Sequence, residues 1–300
     1  MSTSYSSRAA VDAFILHLAQ NERSPLTLKN YRCDLEAFAR WFGQTIGDTL
    51  EPAYLTPTDF RLYKQWLLTQ QRLKPASVNR KLATLHSFVS WASEVRRMPL
   101  DVGALRRAAR RVQQEPLGPR WLTRREQHAL LRALERGRNR RDLAIVQLLL
   151  HTGLRVRELC ALTWRDITLS ARKGMLTVRH GKGGIYRQVP LNATARAAVH
   201  TLGYQQHVGT NARLLLGQRG PITPRGVQTL LAKYETQAHL DVLSPHVLRH
   251  SFCKNLLNAG VGLEQVATLA GHTSLETTRR YCTPSLQELE QAVTRLSDCE

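Results

Sequence analysis

Between Met175 and Leu191 the chain changes its period. Leu176 and Val178 alternate with polar residues up to Gly181-Lys182-Gly183-Gly184, and after that tip Ile185, Arg187 and Val189 alternate with Tyr186, Gln188 and Pro190. A repeat of two on either side of a glycine-rich turn predicts a β-hairpin. Elsewhere the apolar residues recur at helical spacing. Ser24-Pro25 supplies an N-cap and a first-turn proline, Leu28, Tyr31, Leu35, Phe38 and Phe42 follow on one face, and Gly43 is the expected stop. Val78, Leu82, Leu85, Val89 and Ala92 form a second such face beginning at Ser77, with shorter helices around Val11 to Leu18 and Thr58 to Leu68. The expected fold is mainly α with a small β-sheet or hairpin.

The helical segments in residues 1–98 group into one all-helical domain. Residues 99–120 lose the pattern, gain three prolines and crowd Arg106, Arg107, Arg110 and Arg111 together, which reads as a basic interdomain linker. Thr123 and Glu126 then have capping-box spacing and open a second domain, 121–300. In it an apolar helix from Asp142 to His151 is closed by Gly153, another begins at Val156, and helices resume at Asn192 after the hairpin. With 300 residues and 42% hydrophobic content, each domain can bury a core.

A formal charge of +20 spread along the whole length makes a polyanion the natural partner, nucleic acid first. No apolar run approaches the ~18 residues of a spanning helix. The polar start, Met1 to Arg8, lacks the apolar stretch of a secretory signal, so a cytoplasmic location is expected. Cys33, Cys160, Cys253, Cys282 and Cys299 are odd in number and scattered, which argues for reduced thiols rather than a zinc or disulfide framework.

Ser244-Pro245 caps a helix whose opening turn carries His246, with Arg249 and His250 on the same face. A helix N-terminus attracts phosphate, and a His and an Arg are added there. Val247 stands where the zinc-protease helix needs its glutamate, which disfavours a metal site. Gly153-Leu154-Arg155 sets an arginine between two helices, with Glu158 one turn on to hold it. Lys182 sits at the hairpin tip. His272 follows Gly271, and Ser274 caps a last helix carrying Arg279, Arg280 and Tyr281. Taken singly, each has a plainer reading in packing or solvation.

Their order and spacing together resemble the tyrosine site-specific recombinases, the phage integrase family, and most nearly its Xer-like members. The resemblance runs through 121–284, resting on Arg155, Lys182, His246, Arg249, His272 and Tyr281, and residues 10–98 resemble the family's core-binding domain, as in Ser24-Pro25-Leu26-Thr27-Leu28-Lys29-Asn30-Tyr31. It implies two domains, an all-helical core-binding one and an α+β catalytic one. Lys29, Arg80, Lys81 and Arg279 are the candidate DNA contacts. An arm-binding domain like that of λ integrase is not expected.

The chemistry of the set suggests roles. A phenol with pKa of about 10 is only ~0.1% ionised at neutral pH, so Tyr281 as nucleophile needs a base, for which His246 is the candidate, and cationic neighbours. Arg155 and Arg249 can each donate two hydrogen bonds to the non-bridging oxygens. Lys182 can protonate the departing 5′ oxygen, and His272 can hold the phosphate or steady the phenol. The resemblance implies a 3′-phosphotyrosyl intermediate, a Holliday junction and, because the ester bond is conserved in the enzyme link, no metal, ATP or other cofactor. It further implies integration or mobile-element chemistry on double-stranded DNA recombination sites, four protomers in the synapse, a possible heteromeric recombinase partner, and a C-terminal docking stripe of Leu286, Leu289, Ala292, Val293 and Leu296. The competing readings are a type IB-like topoisomerase, which works alone, and a catalytically silent DNA-binding regulator, which would not need all six residues.

Overall fold

The computed structural model describes residues 7–47, 50–96, 98–113, 118–179, 186–272 and 274–281. The chain divides into two compact units, Met1–Leu117 and Gly118–Glu300.

The first unit is built from α1 (Ser7–Gln20), α2 (Pro25–Thr45), α3 (Pro57–Thr69), α4 (Pro75–Glu94) and α5 (Val102–Ala108). Proline starts α2, α3 and α4, where its fixed φ suits the first turn and its missing N–H costs nothing. Ser24 accepts from the Thr27 amide, and Thr56 forms a full capping box with Asp59. Their inner faces meet in an aromatic core in which the Phe38 and Tyr63 rings lie 4.8 Å apart and those of Phe14 and Phe88 5.4 Å apart. Gly43 does not stop α2. The helix runs on to Thr45, and the left-handed glycine that follows it is Gly47, at φ +82°. A glycine inside a helix costs about 1 kcal/mol, and burial of Trp41 and Phe42 beside it outweighs that.

Much of the stretch read as a linker belongs to this unit. α5 packs on α3 and α4, with Leu105 and Ala109 buried in the core. Lys64 donates to the Arg110 carbonyl at 2.9 Å, and the Asn79 side chain exchanges hydrogen bonds with the backbone of Val112 at 2.8 and 3.0 Å. Two arginine pairs, Arg106-Arg107 and Arg110-Arg111, hide the two buried apolar residues that anchor the segment. Asp34 on α2 is buried and pairs with Arg80 and, at 3.1 Å, with Lys81, while Thr84 donates to it at 3.2 Å. Lys81 is therefore largely enclosed by its pairing, Arg80 is half exposed, and Lys29 is exposed without such a tie among the described contacts.

The second unit begins with α6 (Arg124–Arg136), α7 (Arg140–Thr152) and α8 (Val156–Ala161). The Thr123–Glu126 capping box forms as expected, and α7 ends on Gly153 in the left-handed region. A three-stranded antiparallel sheet follows, β1 (Ile167–Leu169), β2 (Gly174–Val178) and β3 (Arg187–Pro190), with Leu176 opposite both Ile167 and Val189. β2 and β3 are the expected hairpin strands, and β1 is an addition. The tip, 180–185, with Lys182 in it, lies outside the described residues. Next come α9 (Ala193–Thr201), α10 (Tyr204–His207), the two-residue strands β4 (Leu216–Gly217) and β5 (Gly220–Pro221), α11 (Pro224–Gln237), α12 (Pro245–Asn258), α13 (Leu263–Ala270) and α14 (Leu275–Arg279). α7 packs against both α9 and α12. Leu148, Leu149, Leu176, Val199 and Leu248 are among the residues of the shared core. No helix among the described residues is long and apolar enough to cross a membrane.

Candidate active site

Two helix ends and one helix start meet in the second unit. Gly153, at φ +61°, turns the chain from α7 into α8, and its carbonyl accepts from Arg249 Nη1 at 2.6 Å. The Phe252 ring fills the space beside it, so that a Cβ on Gly153 would lie 2.3 Å from a ring carbon. Gly153→Ala is therefore expected to destabilise the protein by about 3 kcal/mol, through a left-handed alanine and the displaced ring. Urea unfolding checks this, and a loss below about 1 kcal/mol contradicts it.

Arg155 caps α8. Glu158 reaches back to its amide at 2.8 Å and to its Nη1 at 2.9 Å, while Nη2 donates to the Gly271 carbonyl at 2.7 Å. Arg187 from β3 takes the same carboxylate with both Nη atoms, at 3.0 and 2.7 Å. Arg249, only 4% exposed, uses Nη1 on Gly153, and its Nη2 is buried with no hydrogen-bond partner among the described residues. Burial, then the charge of Arg155, pushes the Arg249 guanidinium down to about 10, so it remains a cation at neutral pH. Three guanidiniums against one carboxylate leave the cluster positive.

Tyr281 follows α14 and is 2% exposed, packed with Phe252, Cys253, Val266 and Ala270. Its hydroxyl meets His250 Nδ1 at 2.5 Å and also contacts the Cys253 thiol. The His272 ring stacks over the phenol at 6.1 Å between centroids, and its Nδ1 pairs with the Thr278 hydroxyl at 2.7 Å. Burial and the neighbouring cations push His250 and His272 down to about 4, so both are neutral at pH 7. His246 shifts the same way from partial burial and from the charges of Arg249 and Arg155, and its side chain is exposed on the first turn of α12. Burial and the Cys253 thiol raise the phenol above its ordinary value, against the lowering effect of Arg249 and Arg280.

Five of the six residues picked out in the sequence thus come together: Arg155, His246, Arg249, His272 and Tyr281. The sixth, Lys182, is outside the described residues. The imidazole that touches the phenol is His250, which the sequence places on the same helix face without assigning it a role, and not His246, the candidate base, whose ring lies 6.3 Å from that of His250. Arg187 was also missed as part of the site. Its signal was present: a charged residue at the inward register of a strand, between Ile185 and Val189. Arg279 is exposed and lies 3.7 Å from Glu276.

A buried guanidinium with a donor left unpaired among the described residues, a second held beside it and a phenol among imidazoles make a site that can hold a phosphodiester next to a tyrosine. The sequence matches the phage integrase family over residues 120–288 and the phage integrase N-terminal SAM-like domain over residues 11–95. It is 35% identical over 288 residues to the tyrosine recombinase XerC of Pelobacter propionicus, covering 93% of this chain and 92% of that protein. The tyrosine recombinase XerC of Staphylococcus aureus is 32% identical over 292 residues, covering 93% of both. In fold the chain is similar to the Tn1549 transposon integrase in complex with a circular intermediate DNA, with a TM-score of 0.74 at 18% identity, over 97% of this chain and 99% of that one. The chain belongs to the phage integrase family, the tyrosine recombinases.

Proposed function

We propose that this protein is a site-specific recombinase that cleaves and rejoins double-stranded DNA through a covalent 3′-phosphotyrosyl link on Tyr281, with exchange through a Holliday junction. The observation that carries the reading is the buried Nη2 of Arg249, without a hydrogen-bond partner among the described residues, in the same cluster as the Tyr281 phenol. An unpaired buried donor is costly, and a non-bridging phosphate oxygen would satisfy it. Arg155 supplies the second guanidinium, and exposed His246 can donate to the same phosphate. Lys182 is the candidate acid for the departing 5′ oxygen.

Where it lies, against His250 and Cys253, the phenol keeps its proton. Proton transfer from a phenol raised by burial to a His250 imidazole lowered to about 4 is strongly uphill, so this contact stores Tyr281 in its protonated form. Attack requires the hydroxyl to leave His250 and Cys253 for the phosphate, where His246 is the candidate base. The exposed cations Lys29, Arg80 and Arg279 are candidate backbone contacts, with Lys81 serving chiefly to neutralise Asp34.

The protein would act in the cytoplasm on recombination sites such as those of mobile elements, with four protomers, or two pairs of related recombinases, in the synapse. A cavity of about 760 Å³ between α13 and α14, lined by Leu263 and Leu275 with Glu264, Gln265, Glu276 and Arg279 around them, is a candidate seat for the stripe Leu286, Leu289, Ala292, Val293 and Leu296 of a neighbouring protomer, a segment outside the described residues. A lone topoisomerase would need no such contact, and the relatives named above are recombinases and integrases.

The test uses a nicked duplex whose short 3′-side fragment diffuses away after cleavage, trapping the enzyme. The expected result is a DNA adduct that survives denaturation and maps by peptide mass to Tyr281. Absence of an adduct on a DNA site that the protein binds, or an adduct on another residue, overturns the reading.

A further inference from the structure

Behind Arg155 lies a charge that the cleavage chemistry does not itself use. Arg187 is 6% exposed and Glu158 5% exposed, and the guanidinium grips both carboxylate oxygens while its Nε donates to the Leu269 carbonyl at 3.0 Å. Gly271 permits this: a Cβ there would lie 2.8 Å from Arg187 Nη1. The fold alone does not call for such a trio. Its register neighbour on β2, Val178, and the next inward residue, Val189, are apolar, and well-packed apolar side chains commonly match or exceed a buried ion pair in stability.

The electrostatics supply a reason. Glu158 accepts four hydrogen bonds, two from Arg155 and two from Arg187. Burial raises its carboxyl, but the Arg187 hydrogen bonds, the Arg155 amide and the Arg187 charge outweigh burial and hold it below the ordinary carboxylate range. With Arg187 absent, one buried carboxylate would stand against one guanidinium, and Arg155 would be neutralised. With Arg187 present, the trio keeps one net positive charge beside the phosphate site. The same side chain ties β3 to the end of α13, next to the Gly271 carbonyl on which Arg155 rests.

We propose that Arg187 is a positioning residue for strand cleavage, occupying Glu158 so that Arg155 keeps its charge and its aim toward the scissile phosphate. The inference rests on the recombinase reading. It is tested on the full chain by single-turnover cleavage of the nicked duplex and by gel-shift affinity, for wild type, Arg187→Gln and the double variant Glu158→Gln/Arg187→Gln.

Arg187→Gln is expected to cleave ~10 to 100-fold more slowly, with DNA affinity within about threefold of wild type. The double variant removes the uncompensated carboxylate and is expected to recover about tenfold of that loss, whereas a purely structural role makes the second change an added injury. Wild-type cleavage by Arg187→Gln, or no recovery in the double variant, overturns the proposal. If thermal melting shows that Arg187→Gln does not fold, Arg187→Lys replaces it: charge retained and two-pronged grip lost, it should cleave about tenfold more slowly at unchanged affinity, and wild-type cleavage by it overturns the proposal. A wild type that forms no Tyr281 adduct sinks the recombinase reading and this inference together. A wild-type adduct with indifferent variants sinks this inference alone.

Discussion

Tyr281→Phe is expected to bind its DNA site normally and to form no covalent adduct, a loss of at least about 10,000-fold in trapped product. The ring can stay where it is. Phenylalanine keeps the stack on His272 and the packing against Phe252, Val266 and Ala270, and forfeits only the hydroxyl with its contacts to His250 and Cys253. One such hydrogen bond is worth about 1 kcal/mol, so the fold survives and the missing chemistry is isolated from it. Because phenylalanine has no nucleophilic atom, residual adduct would have to come from another side chain. Adduct at wild-type yield removes Tyr281 from the mechanism.

Arg249→Ala should lower the single-turnover cleavage rate by ~100 to 1,000-fold, the scale on which removing one donor from a charge-stabilising site acts. The two ends of this guanidinium have different tasks. Nη1 is committed to the Gly153 carbonyl at 2.6 Å, and Nη2 is buried and unpaired among the described residues. A lysine has one ammonium and cannot hold the turn and the phosphate in the same geometry, so Arg249→Lys should recover little of the loss although it restores the charge. If Arg249→Lys cleaves within about threefold of wild type, point charge alone suffices and the forked donor is not what the site uses. DNA affinity, measured in parallel, should move far less than the cleavage rate, since most binding energy comes from backbone contacts elsewhere.

How much of this was legible before folding depended on range. The helix starts at Ser24, Thr123 and Ser244 and the left-handed stop at Gly153 were readable because caps and turns act over three or four residues. Strand alternation in β2 and β3 was readable for the same reason. Gly43 misled because the buried face of α2 outweighs a local penalty, and 99–120 misled because Leu105 and Ala109 disappear among arginines in a composition count.

The order and local contexts of Arg155, Lys182, His246, Arg249, His272 and Tyr281 by themselves determined the family and the chemical repertoire, since those properties lie in side-chain type and spacing. What only the tertiary structure decided is who faces whom. His250 meets Tyr281 across 31 residues, and Arg155 meets the Gly271 carbonyl across 116. Arg187 turns inward onto Glu158 through the register of β3. Such contacts are fixed when separate apolar faces pack into one core, and no period within a single segment encodes the distance between two of them.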